Sequence, residues 1–429
     1  MSTRFLAMLL LFLVVGETSF SQSITWQKAS VGIGDTAIVS SFACNSQGQI
    51  FAGVFAGGGY SGLYSSSDNG LTWASITTKP TNFGTHAIAI DSSSWIFLGG
   101  DFGVSRSSDN GVNWTRQNVG FKDTLFARVE NILINHNGYI FAAPDGWGLY
   151  RSTNRGDSWQ PCATSFGSLT VRCLVNDSWG NLYVGTESVF GYGGLFVSTN
   201  NGDTWTGPMF RGKIVPSAIV NSEGVVLVAT QIPWTLYRWT NLGLKWDTLS
   251  TNAQIYLLGV NSSDHLFGVA PRSPTSMYPT SGVLKSTDNG SSWFSVNQGL
   301  PDTTSIISMF VAPNGYVFLG TSGHGIYRSS QRTTSVAVSQ STIAAFSLGQ
   351  NYPNPFNPTT TIRYDLPKSA NINLKIFNTL GQEITSLVNE HKEAGYYQAT
   401  WNANVPSGIY FCRLQAGEYV ETKKMILLK

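Results

Sequence analysis

Residues 323–336 read GHGIYRSSQRTTSV, and this stretch starts a pattern that it does not finish. Five earlier stretches open the same way and run on to a tryptophan. They are GLYSSSDNGLTW (62–73), GVSRSSDNGVNW (103–114), GLYRSTNRGDSW (148–159), GLFVSTNNGDTW (194–205) and GVLKSTDNGSSW (282–293). A degenerate copy, TLYRWTNLGLKW (235–246), has Trp239 where the others have serine. The marker positions are Ser66, Ser107, Ser152, Ser198, Trp239, Ser286 and Ser329, spaced 41–47 residues apart. Such a period is that of a propeller blade. The seventh copy breaks after Ser330 and never reaches its tryptophan. Its complement stands at the other end of the chain. In QSITWQKAS (22–30), Thr25-Trp26 is the end of a box without a beginning. The ring closes if the strand around Trp26 becomes the outermost strand of blade seven, which also removes two open sheet edges.

Each box is preceded by a matching unit, as in INHNGYIFAA (134–143), VNSEGVVLVAT (220–230) and VAPNGYVFLGT (311–321). These are two short apolar strands around an Asn-, Ser- or Gly-rich turn. The box supplies two more, so one repeat gives four strands and seven repeats give seven blades.

The box resembles the Asp-box, or BNR repeat, with consensus S-x-D-x-G-x-T-W. Asp68, Asp109 and Asp288 hold the acidic position, and Asn154, Asn200 and Asn241 replace it. Asp or Asn is expected to hold the turn by bonding backbone two residues on. The glycine takes a positive φ. Trp73, Trp114, Trp159, Trp205, Trp246 and Trp293, with Trp26 for the broken copy, are expected to pack the hairpins. One carboxylate per turn, freely replaced by Asn, is too few ligands for calcium. The boxes read as structural, and the sequence calls for no metal and no cofactor.

The bulk numbers agree with an all-β reading. Of 429 residues only 12% are charged, 13% are aromatic and 45 are glycine. The net charge of +2 gives no electrostatic case for nucleic acid or an anionic membrane. The start, MSTRFLAMLLLFLVVGETSFSQ, has Arg4, an apolar run from Phe5 to Val15 and a small-x-small site at Ser19-Phe20-Ser21. It reads as a signal peptide over 1–21, cut near Ser21–Gln22, because the apolar run is short for a membrane span. No later run is long enough to cross a bilayer. Cys44, Cys162, Cys173 and Cys412 have no zinc spacing. Cys162 and Cys173 are close enough in sequence for a disulfide in an oxidising compartment, and buried free thiols are the favoured reading.

The propeller is expected over 22–330. A polar linker, QRTTSVAVSQSTIAA, follows over 331–345. A tail over 346–429 then alternates strands and turn signals in the manner of a small β-sandwich. Its segments NYPNPFNPTTTIRYDLP, IFNTLGQEI, GYYQATWNA, SGIYFCRLQAG and KKMILLK resemble the type A C-terminal sorting domain of the type IX secretion system, an immunoglobulin-like fold. The resemblance implies a didermic bacterium of the Bacteroidetes–Chlorobi kind and export to the periplasm. Passage across the outer membrane by the type IX machinery follows, with release or attachment at the surface. Whether the tail is then removed stays open.

If the blade strands run A to D from channel to rim, the boxes are C–D turns. The B–C loops then emerge on the opposite face, where propellers usually bind ligands. Those loops are VFAGGGYS (54–61), GDF (100–102), PDGW (144–147), ESVFGYG (187–193), QIPW (231–234), PRSPTSMYPTS (271–281) and SGH (322–324). They offer Phe55, Tyr60, Phe102, Trp147, Phe190, Tyr192, Trp234 and Tyr278, and the last offers His324. Asp101, Asp145 and Glu187 add acids. Flat apolar rings with a few acids suit a glycan or an extended peptide. The plainer reading has these side chains packing on their own loops.

Asp-box propellers include sialidases and xyloglucanase-like glycosidases, so an enzyme is the alternative, with Asp101, Asp145 and Glu187 as its acids. Sialidases hold a carboxylate with three arginines. Here the loops give Arg272, with Arg211 and Lys213 near blade four, and the set does not assemble. A glycosidase needs two carboxylates at a set separation, and Asp101 and Asp145 stand on adjacent blades. No GxSxG, HExxH or phosphate loop occurs in a supporting context. The sequence reading is a secreted or surface-bound, non-catalytic propeller that binds a glycan or protein.

Overall fold

The structure is a computed structural model that describes residues 24–56, 61–76, 84–122, 127–162, 166, 169–231, 233–239, 246–249, 253–272, 281–334, 346–351 and 354–428. The signal peptide, Tyr60, Asn241 and Tyr278 lie outside the described residues.

Seven four-stranded antiparallel sheets follow one another along the chain. Their inner strands are Ile38–Cys44, Thr85–Ile90, Val129–Ile134, Val171–Asn176, Ile214–Val220, Leu257–Val260 and Ile306–Val311. Each inner strand touches the next, and the seventh touches the first, so the sheets close a seven-bladed propeller. Blades meet through buried Phe, Val, Leu and Ile of the middle strands, such as Phe51, Phe97, Phe141, Phe267 and Phe318, all fully buried.

Blade seven is completed from the N-terminus. Trp26–Lys28 pairs antiparallel with Ile326–Ser329, Trp26 opposite Ser329 and Lys28 opposite Tyr327. The broken box and the orphan tryptophan are two parts of one sheet. A second device spans the seam to blade one. Arg328 Nη1 donates to the Asn69 carbonyl at 2.7 Å, and Asn314 Nδ2 donates to Asn69 Oδ1 at 2.8 Å. The same latch recurs from Arg106 to the Arg155 carbonyl, Arg151 to that of Asn201 and Arg238 to that of Asn289. In each case an arginine beside the box of one blade grips the box turn of the next.

The second strands carry the sequence signal for close blade approach. At Gly320 a Cβ would stand 2.3 Å from the Val39 carbonyl oxygen of blade one, and at Gly185 2.5 Å from that of Val215 of blade five. Only a missing side chain lets the neighbouring backbone in.

The boxes differ in one respect from the expected turn. Asp68 does not bond backbone two residues on. Its Oδ1 accepts from the amides of Leu71 and Thr72 at 3.0 and 2.9 Å, while Ser66 Oγ accepts from the Gly70 amide at 2.8 Å. The turn is wider because Asn69 and Gly70 both take positive φ, 60° and 79°. Asn154 makes the equivalent bond to the Ser158 amide, which is why amide and carboxylate interchange here. The tryptophans fall into two groups. Trp26, Trp73 and Trp159 are buried and donate to backbone of the preceding blade's outer segment. Trp114, Trp205 and Trp293 are partly exposed and cap their own turns. In the degenerate copy Trp239 stacks on Trp246 at 5.5 Å.

Burial pushes Asp68 up, but bonds from the Thr72 hydroxyl and amide, Ser66 and the Leu71 amide outweigh it and bring the carboxyl down to about 2. Asp109 and Asp288 are lowered too, each held by the same kind of turn. A carboxylate lowered in the folded state stabilises above its unfolded value of about 3.9 and loses that contribution as pH falls through the folded value. Replacing all three by Asn should flatten the fall in stability between about pH 5 and about pH 2 relative to wild type. Equal slopes in acid titrations of stability would refute this.

The four cysteines are free thiols, with Cys162 and Cys173 in separate clusters. Burial pushes both thiols up to about 12, so neither is a reactive thiolate at neutral pH. The chain stays on the propeller past Ser330, since the Thr333 amide donates to the Gly315 carbonyl at 2.7 Å.

The tail is a β-sandwich. One sheet holds Ser347–Leu348, Thr359–Leu366 and Gly395–Asn402; the other holds Ala370–Phe377, Glu383–Lys392, Gly408–Ala416 and Tyr419–Leu427. Tyr364, Ile376, Trp401, Leu414 and Leu427 fill a core of its own. The NPFNP segment seats Phe356 against Trp401 at 5.4 Å, and the Phe356 amide donates to the Ile426 carbonyl at 2.9 Å.

Candidate functional site

The B–C face is built by a recurring irregularity. Pairing of the first and second strands skips a residue at Ser40, His86, Glu130, Arg172 and Ile307. Bulges of this kind re-aim side chains and are frequent beside functional sites. Past the bulge, a small polar side chain ties the blade to its neighbour. Asn131 donates to the Val171 carbonyl at 2.9 Å and Ser308 to that of Val39 at 2.7 Å. The skipped residue is left out of the ladder.

In blades two to four these residues join the loop acids in a chain of alternating basic and acidic side chains. His86 Nε2 lies 2.8 Å from Asp101 Oδ1, and Arg128 Nε 4.0 Å from the same oxygen. Arg128 Nη2 meets Glu130 Oε1 at 2.9 Å. Arg172 lies 4.0 Å from Glu130 and 3.1 Å from Glu187. Asp145 Oδ1 accepts from the Thr170 hydroxyl at 2.8 Å. All three acids picked out in the sequence are thus on one face and engaged by neighbours. Arg128 and Arg172 are about half-exposed, and ion pairs made by such exposed arginines contribute only about 0–1 kcal/mol each, so a ligand's polar groups can replace those pairs at low cost; His86 is buried.

Among the described residues, the loop aromatics do not form one continuous lining. Phe55, one residue before the end of the second strand of blade one, meets His86 in a tilted contact at 4.7 Å. Phe102 lies 5.6 Å from the Arg116 guanidinium. Trp147 packs into the core of blade three, and Trp234 meets Tyr256 edge-on at 6.5 Å. His324 is half-buried, its amide donating to Thr321 Oγ1. Phe190 and Tyr192 stand out on a tight hairpin, 96% and 60% exposed.

Arg128, Glu130, Arg172 and His86 were not reached by reading loops. They lie where the connections between blades enter the first strands, on the same face. The signal was local: ARVEN and TVRCLV put charges at the start of otherwise apolar strands.

Among the described residues, no group of three or more His, Cys, Asp or Glu is placed to hold a metal ion. No helix among them is long and apolar enough to cross a membrane.

The tail's two sheets and seated NPFNP segment agree with its family assignment. Residues 350–428 match the secretion system C-terminal sorting domain. The chain is a propeller joined to a sorting domain of the type IX kind, which makes it a secreted or cell-surface protein. No curated protein matches it. Among solved structures it is similar to PorZ, a surface component of the type IX secretion system of Porphyromonas gingivalis, with 15% identity and a TM-score of 0.55, over 94% of this chain and 61% of that one. It therefore spans about three fifths of PorZ. It is also similar to the GH74 xyloglucanase from Xanthomonas campestris, with 17% identity and a TM-score of 0.57, over 80% and 59% of the two chains. A third similar structure is YCF48 bound to D1 peptide, with 14% identity and a TM-score of 0.56, over 71% and 97%. Likeness at these identities concerns the fold alone.

Proposed function

We propose that the chain is an Asp-box propeller that binds a glycan or protein at its B–C face without chemistry, after export by the general secretory route and then the type IX system. Its working parts are a signal peptide (1–21), the propeller (22–330), a linker (331–345) and the sorting domain (346–429). The observation that carries the reading is the chain from His86 through Asp101, Arg128, Glu130 and Arg172 to Glu187. It offers donors and acceptors in alternation at the ends of blade strands beside Phe55, and every acid already has a partner. Ligand hydroxyls or peptide groups can take the place of those partners.

Arrays of extracellular polysaccharides and peptides should show binding to the wild type that Arg172→Ala weakens by about tenfold, or about 1.4 kcal/mol. Binding that ignores Arg172→Ala and Arg128→Ala removes the site.

A second reading, a glycoside hydrolase, draws on Asp101 and Asp145 standing at equivalent turns of adjacent blades. It requires turnover of some polysaccharide that Asp101→Asn or Asp145→Asn abolishes. Turnover unaffected by both discards that pair.

A further inference from the structure

The hairpin that follows Glu187 is rigid and unusually bare. Val189 and Tyr192 exchange both backbone hydrogen bonds, at 2.9 and 3.0 Å, with Phe190 at the tip. Phe190 has φ 51°, a left-handed conformation that a bulky side chain adopts at a cost. The neighbouring turn makes a useful comparison. Phe210 has φ 56°, but it stacks on Tyr237 at 4.2 Å and meets Trp246 edge-on at 4.9 Å. Its strain is offset by packing within the chain. Phe190 receives no such return. A convex tip cannot enclose a small ligand, because binding sites for small molecules are concave. It needs a partner with a socket.

This chain has a socket on the same face. Ala253, Ala270, Pro271 and Leu284, with polar Gln254 and Asn297 and with Arg272, line a cleft of about 320 Å³ where blade five hands over to blade six. A cavity of about 150 Å³ already admits a benzene ring. The rims are complementary. Arg211 lies against Tyr192 at 5.3 Å beside the tip, and the fully exposed Asp302, paired with Arg272, stands beside the cleft. The tip belongs to blade four and the cleft to blade six. A two-fold axis lying in the plane of the face and passing through blade five exchanges those two blades. One operation therefore seats both tips in both clefts, which is the condition for a closed, isologous contact.

We propose that two copies of this chain associate face to face through blades four to six, the Phe190 tip of each in the blade-six cleft of the other, with Arg211 facing Asp302. The contact goes beyond the binding role above and does not depend on it.

Sedimentation velocity on the full chain, across a roughly 100-fold range of concentration, should show a monomer–dimer equilibrium. Phe190→Gly should stay monomeric yet melt no lower than wild type, because glycine takes this φ freely. Ala253→Trp should block the cleft and give the same result from the other side. Arg211→Asp and Asp302→Arg should each weaken association at least tenfold, and the two in one chain should restore it. A monomer at every concentration overturns the proposal. So does a dimer that survives Phe190→Gly, or a double charge reversal that recovers nothing.

Discussion

Trp26→Ala should lower the stability of the propeller by about 3–5 kcal/mol, the range for truncating a buried large aromatic. Trp26 is 4% exposed and packs with Val283, Val296 and Leu300 of blade six and Tyr327 of blade seven. Its indole donates to the Val296 carbonyl at 2.5 Å, and its amide to that of Gln298 at 2.8 Å. One residue therefore joins the N-terminal strand Trp26–Lys28 to two blades. Trp114, partly exposed and bonded to its own turn, is the control and should cost clearly less. The tail has a separate core, so thermal unfolding of the variant should show the propeller melting early and the sandwich at its usual temperature. Equal losses at Trp26 and Trp114 would mean that the ring does not depend on its borrowed strand.

The second large effect is expected at Gly320→Val. A Cβ there would stand 2.1 Å from Ser308 Oγ and 2.3 Å from the Val39 carbonyl oxygen. Those two atoms are hydrogen-bonded to each other across the seam at 2.7 Å. The substitution overpacks the contact and breaks the bond, so about 3 kcal/mol or more should be lost. Gly408→Ala in the tail, where the added Cβ meets nothing closer than 3.9 Å, should be nearly neutral in denaturant melts. A stable Gly320→Val chain would show that the blades can separate without penalty.

Much of the propeller could be read in advance because its rules are local. A serine, an Asp or Asn two positions on, a glycine and a tryptophan define one turn each, and the period of their recurrence counts the blades. The seam was legible for the same reason, since Trp26 is conspicuous as an ending without a start. The site was harder. Asp101, Asp145 and Glu187 could be singled out as candidates because loops advertise polar residues. Glu130 and Arg172 sit in strands, where a bulge that shifts register by one residue sets their place on the face, and Arg128 stands just before the strand that carries Glu130. Nothing in ARVEN announces a bulge. The loop aromatics share one sequence signature but not one setting. Phe190 and Trp147 look alike in a loop, but one stands in solvent and the other, partly buried, packs against a core.

The seam has a consequence for how the protein is made. Trp26 and Ser329 are 303 positions apart (329 − 26). In a chain delivered N-terminus first, the propeller's first strand has no partner until almost the whole propeller has followed. Blades one to six can assemble from hairpins of neighbouring sequence, which form quickly, whereas closure over such a distance must gather the ends of a long loop. The finished ring thus appears only when Ser329 is through, just ahead of the sorting domain. Completion of the fold and presentation of the export tag become nearly simultaneous events in the life of the chain.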